Sequence, residues 1–234
     1  MWCTPASSVQ CREKEEYEPL RKRLWDAYNK FCRDVEFPYF TFSDEMHFFR
    51  TGIRVDFENL CFLRRKQMSI YAMMSVIYPE ETSYLEKLQD IIWNICNEHS
   101  WVIPAHRHAD WMNKRNGIDL FAAETALYLA EIKQMLIERL DPIIVEKITM
   151  ELKWRILDSF ENETFWFEGL RSNWASVCGC GVGLTFMYES PERFNRIKER
   201  IDRCMDHYLE GIDSVLPMQG VWVQYLVGEL RDPA

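Results

Sequence analysis

The chain has 234 residues, 47% of them hydrophobic, enough for one large domain or two small ones around a substantial core. Acidic residues outnumber Lys and Arg by 37 to 28, a formal charge of -9, and no basic stripe is concentrated anywhere, which argues against a nucleic-acid surface. No apolar run approaches the roughly 18 residues of a bilayer-spanning helix, so no membrane segment is expected.

The start, MWCTPASSVQCREKEE, lacks the basic opening and apolar stretch of a signal peptide. Eight cysteines are scattered without a disulfide pattern, so a reducing cytoplasm is the expected compartment. Residues 1–15 read as a flexible N-terminus. From Glu16, the residues Tyr17, Leu20, Leu24, Trp25, Tyr28 and Phe31 recur at helical spacing until Pro38. The segment from Pro38 to Gly52 is aromatic and irregular, and His47 lies in it as a core or rim residue.

Asp56 is a candidate cap for a long helix carrying Phe57, Leu60, Leu63, Met68, Ile70, Met73 and Met74, broken at Pro79. A second helix is predicted from Thr82 to about Asn97, with Leu85, Leu88, Ile91, Ile92 and Ile95 inward. Between Glu98 and Gly117 comes a long connection holding three of the five histidines and two tryptophans. A functionless loop of that length is uncommon in a packed domain. His99, His106, His108 and Asp110 fit neither HExxH nor a zinc-module spacing, so no metal and no cofactor is assigned.

Helix returns at Ile118, where Leu120, Ala123, Ala126, Leu127, Leu129, Ala130 and Ile132 form a broad apolar face. Asp119 suits the positive end of that helix, whereas Glu124 sits farther in, among apolar positions. Pro142 suits the first turn of the next helix, which continues to Ile156. An aromatic loop from Trp166 to Trp174 then leads into a helix rich in small residues, Cys178, Gly179, Cys180, Gly181 and Gly183, ending near Glu189. Each of those glycines costs roughly 1 kcal/mol of helix propensity relative to alanine. They imply close backbone approach, either in tight helix packing or on the floor of a cleft. Cys178 and Cys180 read as buried small residues, not ligands. Pro191 opens a last helix with Phe194, Ile197, Ile201, Cys204, Met205 and Tyr208 inward.

No stretch alternates with period two, so the expected fold is all-α, a series of helical hairpins. Stacked around an axis, such hairpins make an incomplete α/α toroid, though periodicity alone does not separate a toroid from a solenoid. Trp101, Trp111, Trp166 and Trp174 offer aromatic faces for a ligand, and His106 a directional polar contact. Asp119 and Glu124 are the nominal carboxylates if the chain were instead a hydrolase.

Three stretches in order, WVIPAHRHADW (Trp101–Trp111), IDLFAAETALYLAEI (Ile118–Ile132) and SNWASVCGCGVG (Ser172–Gly183), resemble the helical domain of heparinase II/III-like polysaccharide lyases. The resemblance covers roughly residues 48–211. It implies an α/α toroid over 16–212, β-elimination next to a uronic acid, and an acidic oligo- or polysaccharide as partner. It also implies that Asn173 neutralises the substrate carboxylate. The family commonly has histidine after that asparagine, where this chain has Trp174. The family's catalytic tyrosine lies in an acidic, glycine-rich segment; the counterpart here, 213–234, is divergent, and Tyr225 is the nearest tyrosine. The resemblance therefore implies a truncated relative that is incomplete or inactive alone, with a non-catalytic carbohydrate-binding or scaffold domain as the alternative. Sugar, linkage and oligomeric state are not legible.

Overall fold

The apolar periodicity becomes helix along most of the chain. The computed structural model describes residues 14–107 and 115–219, with side chains described to 212. A 3-10 turn at Glu15–Tyr17 leads into α1 (Glu18–Phe31), followed by α2 (Phe42–Thr51), α3 (Val55–Ile77) and α4 (Thr82–Cys96). After a 3-10 turn at Pro104–His106 come α5 (Leu120–Leu136) and α6 (Pro142–Leu152). A π-helical turn (Lys153–Leu157) joins α6 to α7 (Asp158–Asn162); a 3-10 turn at Trp166–Gly169 then precedes α8 (Asn173–Glu189) and α9 (Pro191–Gln219). Among the described residues there is no strand, and no helix is long and apolar enough to cross a membrane. The chain is all-α, as the absence of period-two alternation predicts.

Helices α1, α3, α5, α8 and α9 contact one another in that order, while α4 and α6 pair with each other and with α3 and α5 respectively. One large apolar cluster runs through them, from Met68 and Ile92 through Ala126 and Ile148 to Val182 and Ile201. The last helix continues through the expected boundary at 212.

The segment from Pro38 to Gly52 was expected to be irregular and instead contains α2. Thr41 accepts a hydrogen bond from the Asp44 amide, while the Asp44 carboxylate accepts from the Thr41 amide. Gly52 closes the helix in the left-handed conformation (φ 74°), which glycine adopts without Cβ strain. The Thr41-x-x-Asp44 spacing and the glycine are start and stop signals legible in sequence. His47 finds the Asp56 carboxylate 3.1 Å from its Nε2.

The small residues of α8 serve helix packing and do not floor a cleft. A Cβ added to Gly181 would lie 3.0 Å from both Cβ and backbone O of Ala123 on α5. One added to Gly179 would lie 2.9 Å from Cys204 Cβ on α9. The stripe thus lets α8 approach α5 on one side and α9 on the other. Cys178 is buried, but Cys180 is exposed, against the expectation that both are buried. Two helix positions turn about 200°, so the residues face opposite ways. The described cysteines are free thiols.

Candidate functional site

Two aromatic loops meet at one place. The Trp174 ring, on the first turn of α8, lies 4.7 Å from the His106 imidazole and 4.6 Å from the Trp166 ring. Phe121 on α5 closes the group, 5.8 Å from His106. Trp166 is 48% exposed, so one aromatic surface stays open to solvent.

Asp119 is the hinge of the arrangement. Its Oδ1 accepts from the Ala122 amide at 2.7 Å, capping α5 as its position predicts. The other oxygen accepts from the Ile103 amide and stands 2.8 Å from His106 Nδ1. With the carboxylate ionised, that contact holds the proton on Nδ1 and leaves Nε2 as the nitrogen for an incoming partner. Sequence reasoning placed Asp119 at the positive end of the helix and missed the pairing, because nothing local links positions 106 and 119.

The loop carrying His106 is clamped at its neck. Arg155, aimed inward by the π-turn, donates to the backbone oxygen of Glu98 at 2.7 Å and makes longer contacts to those of His99 and Arg115. Its guanidinium lies 4.8 Å from the Trp101 ring centre. Ser159 adds a hydrogen bond to the Asn116 carbonyl at 2.7 Å. Both ends of the loop are therefore tied to the same turn of helix.

Glu151 supports that clamp. Burial pushes its carboxyl up, but hydrogen bonds from Arg155 (2.7 Å) and Lys147 (2.9 Å) outweigh burial and hold it below the usual glutamate range. A carboxylate depressed on folding stabilises the fold above its unfolded value, and that contribution disappears as pH falls through the folded value. Glu151→Gln is therefore expected to lower the urea midpoint at neutral pH, with the gap from wild type narrowing below about pH 4. A gap that stays constant down to about pH 2 would show that the carboxylate's charge is not what stabilises.

The loop carrying Trp166 is held from α9. Arg200 grips the Glu168 carboxylate at 2.9 and 2.6 Å, and that carboxylate in turn accepts from the Phe165 amide at 2.6 Å. His207 Nδ1 lies 2.8 Å from the Glu168 carbonyl.

Asn173 opens α8 and is partly buried. Ser172 stands at the N-cap position, yet its side chain makes no capping bond, and its Oγ is buried without a hydrogen-bond partner. The start of α8 thus lacks the side-chain acceptor that usually satisfies first-turn amides.

Of the expected ligand-facing residues, His106, Trp166 and Trp174 come together, with Asn173 beside Trp174. Trp101 does not join them. It is 2% exposed, its indole N–H donates to the Ile95 carbonyl at 3.0 Å, and Arg155 covers a face, so it is a core residue beneath the loop. Trp111, Tyr225, His108 and Asp110 lie outside the described residues. Of the carboxylates considered for hydrolysis, Asp119 is buried as a cap and histidine partner, whereas Glu124 is exposed. No protein-family model matches the chain, and a search of curated proteins gives no significant match.

Proposed function

We propose that the His106–Trp174–Trp166 cluster and the start of α8 bind an acidic carbohydrate, in the manner of a heparinase II/III-like helical domain. The α/α toroid arrangement belongs to the same reading. The observation that carries it is the uncapped beginning of α8, set beside an exposed indole and an imidazole held by a carboxylate. First-turn amides and the positive end of a helix favour an anion, and the Asn173 amide can donate to the same carboxylate. The tilted faces of Trp166 and Trp174 provide apolar area for a sugar ring, while His106 Nε2 meets a hydroxyl or glycosidic oxygen.

For β-elimination, His106 is the group placed to move a proton, and the amides with Asn173 stabilise negative charge developing on the carboxylate side. Trp174 occupies the position where the family's histidine would offer a second proton-transfer group. We therefore expect binding without efficient turnover.

NMR titration of the labelled protein with a uronate-containing tetrasaccharide should shift the Trp174 and Trp166 indole N–H signals. Asn173→Ala and Trp166→Ala should each weaken binding by roughly tenfold, the scale of one lost charge-assisted hydrogen bond or buried indole contact. Unmoved indole signals across a panel of such oligosaccharides would refute the reading. An absorbance assay for unsaturated products covers the catalytic branch: turnover abolished by Tyr225→Phe would make the chain a working lyase and Tyr225 its proton-transfer residue.

A further inference from the structure

A concave site outside the aromatic cluster shares none of its residues. It is a cavity of about 500 Å³ between α2, the N-terminal half of α3 and the end of α4. That size is typical of small-molecule sites. Tyr39 (68% exposed) and Phe42 (73% exposed) stand at its rim, and Phe49 adds to its apolar wall. The lining also includes the buried charged groups Arg64, Glu98 and Arg107. Large aromatic side chains left in water above a buried ionic floor give a ligand both an apolar body contact and a charge contact.

Among the described lining residues, two arginines, Arg64 and Arg107, meet two carboxylates, Glu45 and Glu98. Glu98 pairs with Arg64, and also with Arg65 behind it, which does not line the cavity, while Glu45 pairs with Arg107 at 2.7 Å. Every N–H-bearing nitrogen of Arg64 is engaged, by Glu98 or by the Pro38 carbonyl. Arg107 is different. Its Nε donates to the Val102 carbonyl and its Nη1 to Glu45, but its Nη2 is buried with no acceptor. A buried guanidinium N–H without an acceptor forfeits a charge-assisted hydrogen bond, and an incoming anionic oxygen restores it.

We infer that this cavity binds a small aromatic carboxylate, with the ring between Tyr39, Phe42 and Phe49 and the carboxylate oxygen on Arg107. A planar ring matches the aromatic walls, and a carboxylate oxygen matches the one guanidinium donor left without an acceptor. The bare floor alone would accept any anion; the exposed rim is what selects a ring-bearing one.

Isothermal titration of the full chain with benzoate as probe tests this. Saturable one-to-one binding is expected, with benzamide, the neutral isostere, at least tenfold weaker. Arg107→Gln should weaken benzoate at least tenfold with an unchanged circular dichroism spectrum. Should that variant fail to fold, Phe42→Ala still decides the matter: its side chain is largely in water, so the fold is kept, and benzoate should weaken severalfold. Absence of saturable benzoate binding, or equal binding of benzamide, would overturn the assignment. Inorganic phosphate binding as well as benzoate, with Phe42→Ala without effect, would also overturn it by reducing the site to an unselective anion contact. None of these outcomes depends on the carbohydrate reading, whose residues line a different surface.

Discussion

Glu98→Gln is expected to remove about 3–5 kcal/mol of stability, the cost of leaving buried charges without a partner. The Glu98 carboxylate receives Arg65 through two contacts of 2.5 Å and Arg64 through two of 2.8 Å, and all three side chains are buried. Glutamine keeps the shape and loses the charge, so two guanidiniums remain in a low-dielectric setting with a neutral acceptor between them. Against a typical total of about 5–15 kcal/mol, that loss is a large fraction of the fold's stability. Guanidinium chloride denaturation of the two proteins measures it. The combined Arg64→Met, Arg65→Met, Glu98→Leu variant separates the causes. Replacing a whole buried ionic set by apolar residues is often neutral or stabilising, so this variant should recover most of the loss. If the triple variant is as unstable as Glu98→Gln, the ionic set contributes through specific hydrogen bonding, not by balancing charge. A loss under about 1 kcal/mol for Glu98→Gln would mean that water or a rearranged acceptor already serves the two arginines.

Gly181→Val should cost about 3 kcal/mol, at the upper end of ordinary overpacking. The added Cβ would meet the Ala123 backbone at 3.0 Å, and a backbone cannot rotate aside as a side chain does. Helix propensity returns only a few tenths of a kcal/mol for glycine to valine, so the steric term wins. Gly183→Ala gives the opposite test on the same helix. Its new methyl would face the Ile201 side chain at 3.2 Å, which can shift, and the propensity gain of about 1 kcal/mol offsets the crowding. Thermal melts should therefore show a large drop for the first variant and little change for the second. Similar melting temperatures for both would show that α5 and α8 slide apart easily.

Periodicity carried the helices. Leu88, Ile91, Ile92 and Ile95 recur on one face, and α4 runs from Thr82 to Cys96 as that spacing predicts. Pro142 and Pro191 open α6 and α9, because proline lacks the N–H that a first helical turn leaves unused anyway. The place of Asp119 at a helix start was legible for the same reason, since it depends on the chain within a turn of itself; the glycines left tight packing and a cleft floor both open, because their partners Ala123 and Cys204 lie far along the chain. The capping box of α2 was equally local and was obscured by the aromatic residues around it.

Burial and partnership were not legible. Trp101 and Trp166 look alike in sequence, both flanked by loop residues, yet one is core and the other open, because only the Arg155 clamp places the first beneath its loop. Leu20 fits the apolar stripe of α1 and is largely exposed, since no helix packs over that position among the described residues. The Glu98 set joins positions more than thirty residues apart, and the pairing of His106 with Asp119 needs a loop folded back onto a helix start. A helical repeat is set by backbone geometry between near neighbours. Which charges meet, and which tryptophan stays in water, is set by where distant helices come to rest, and only the tertiary structure holds that information.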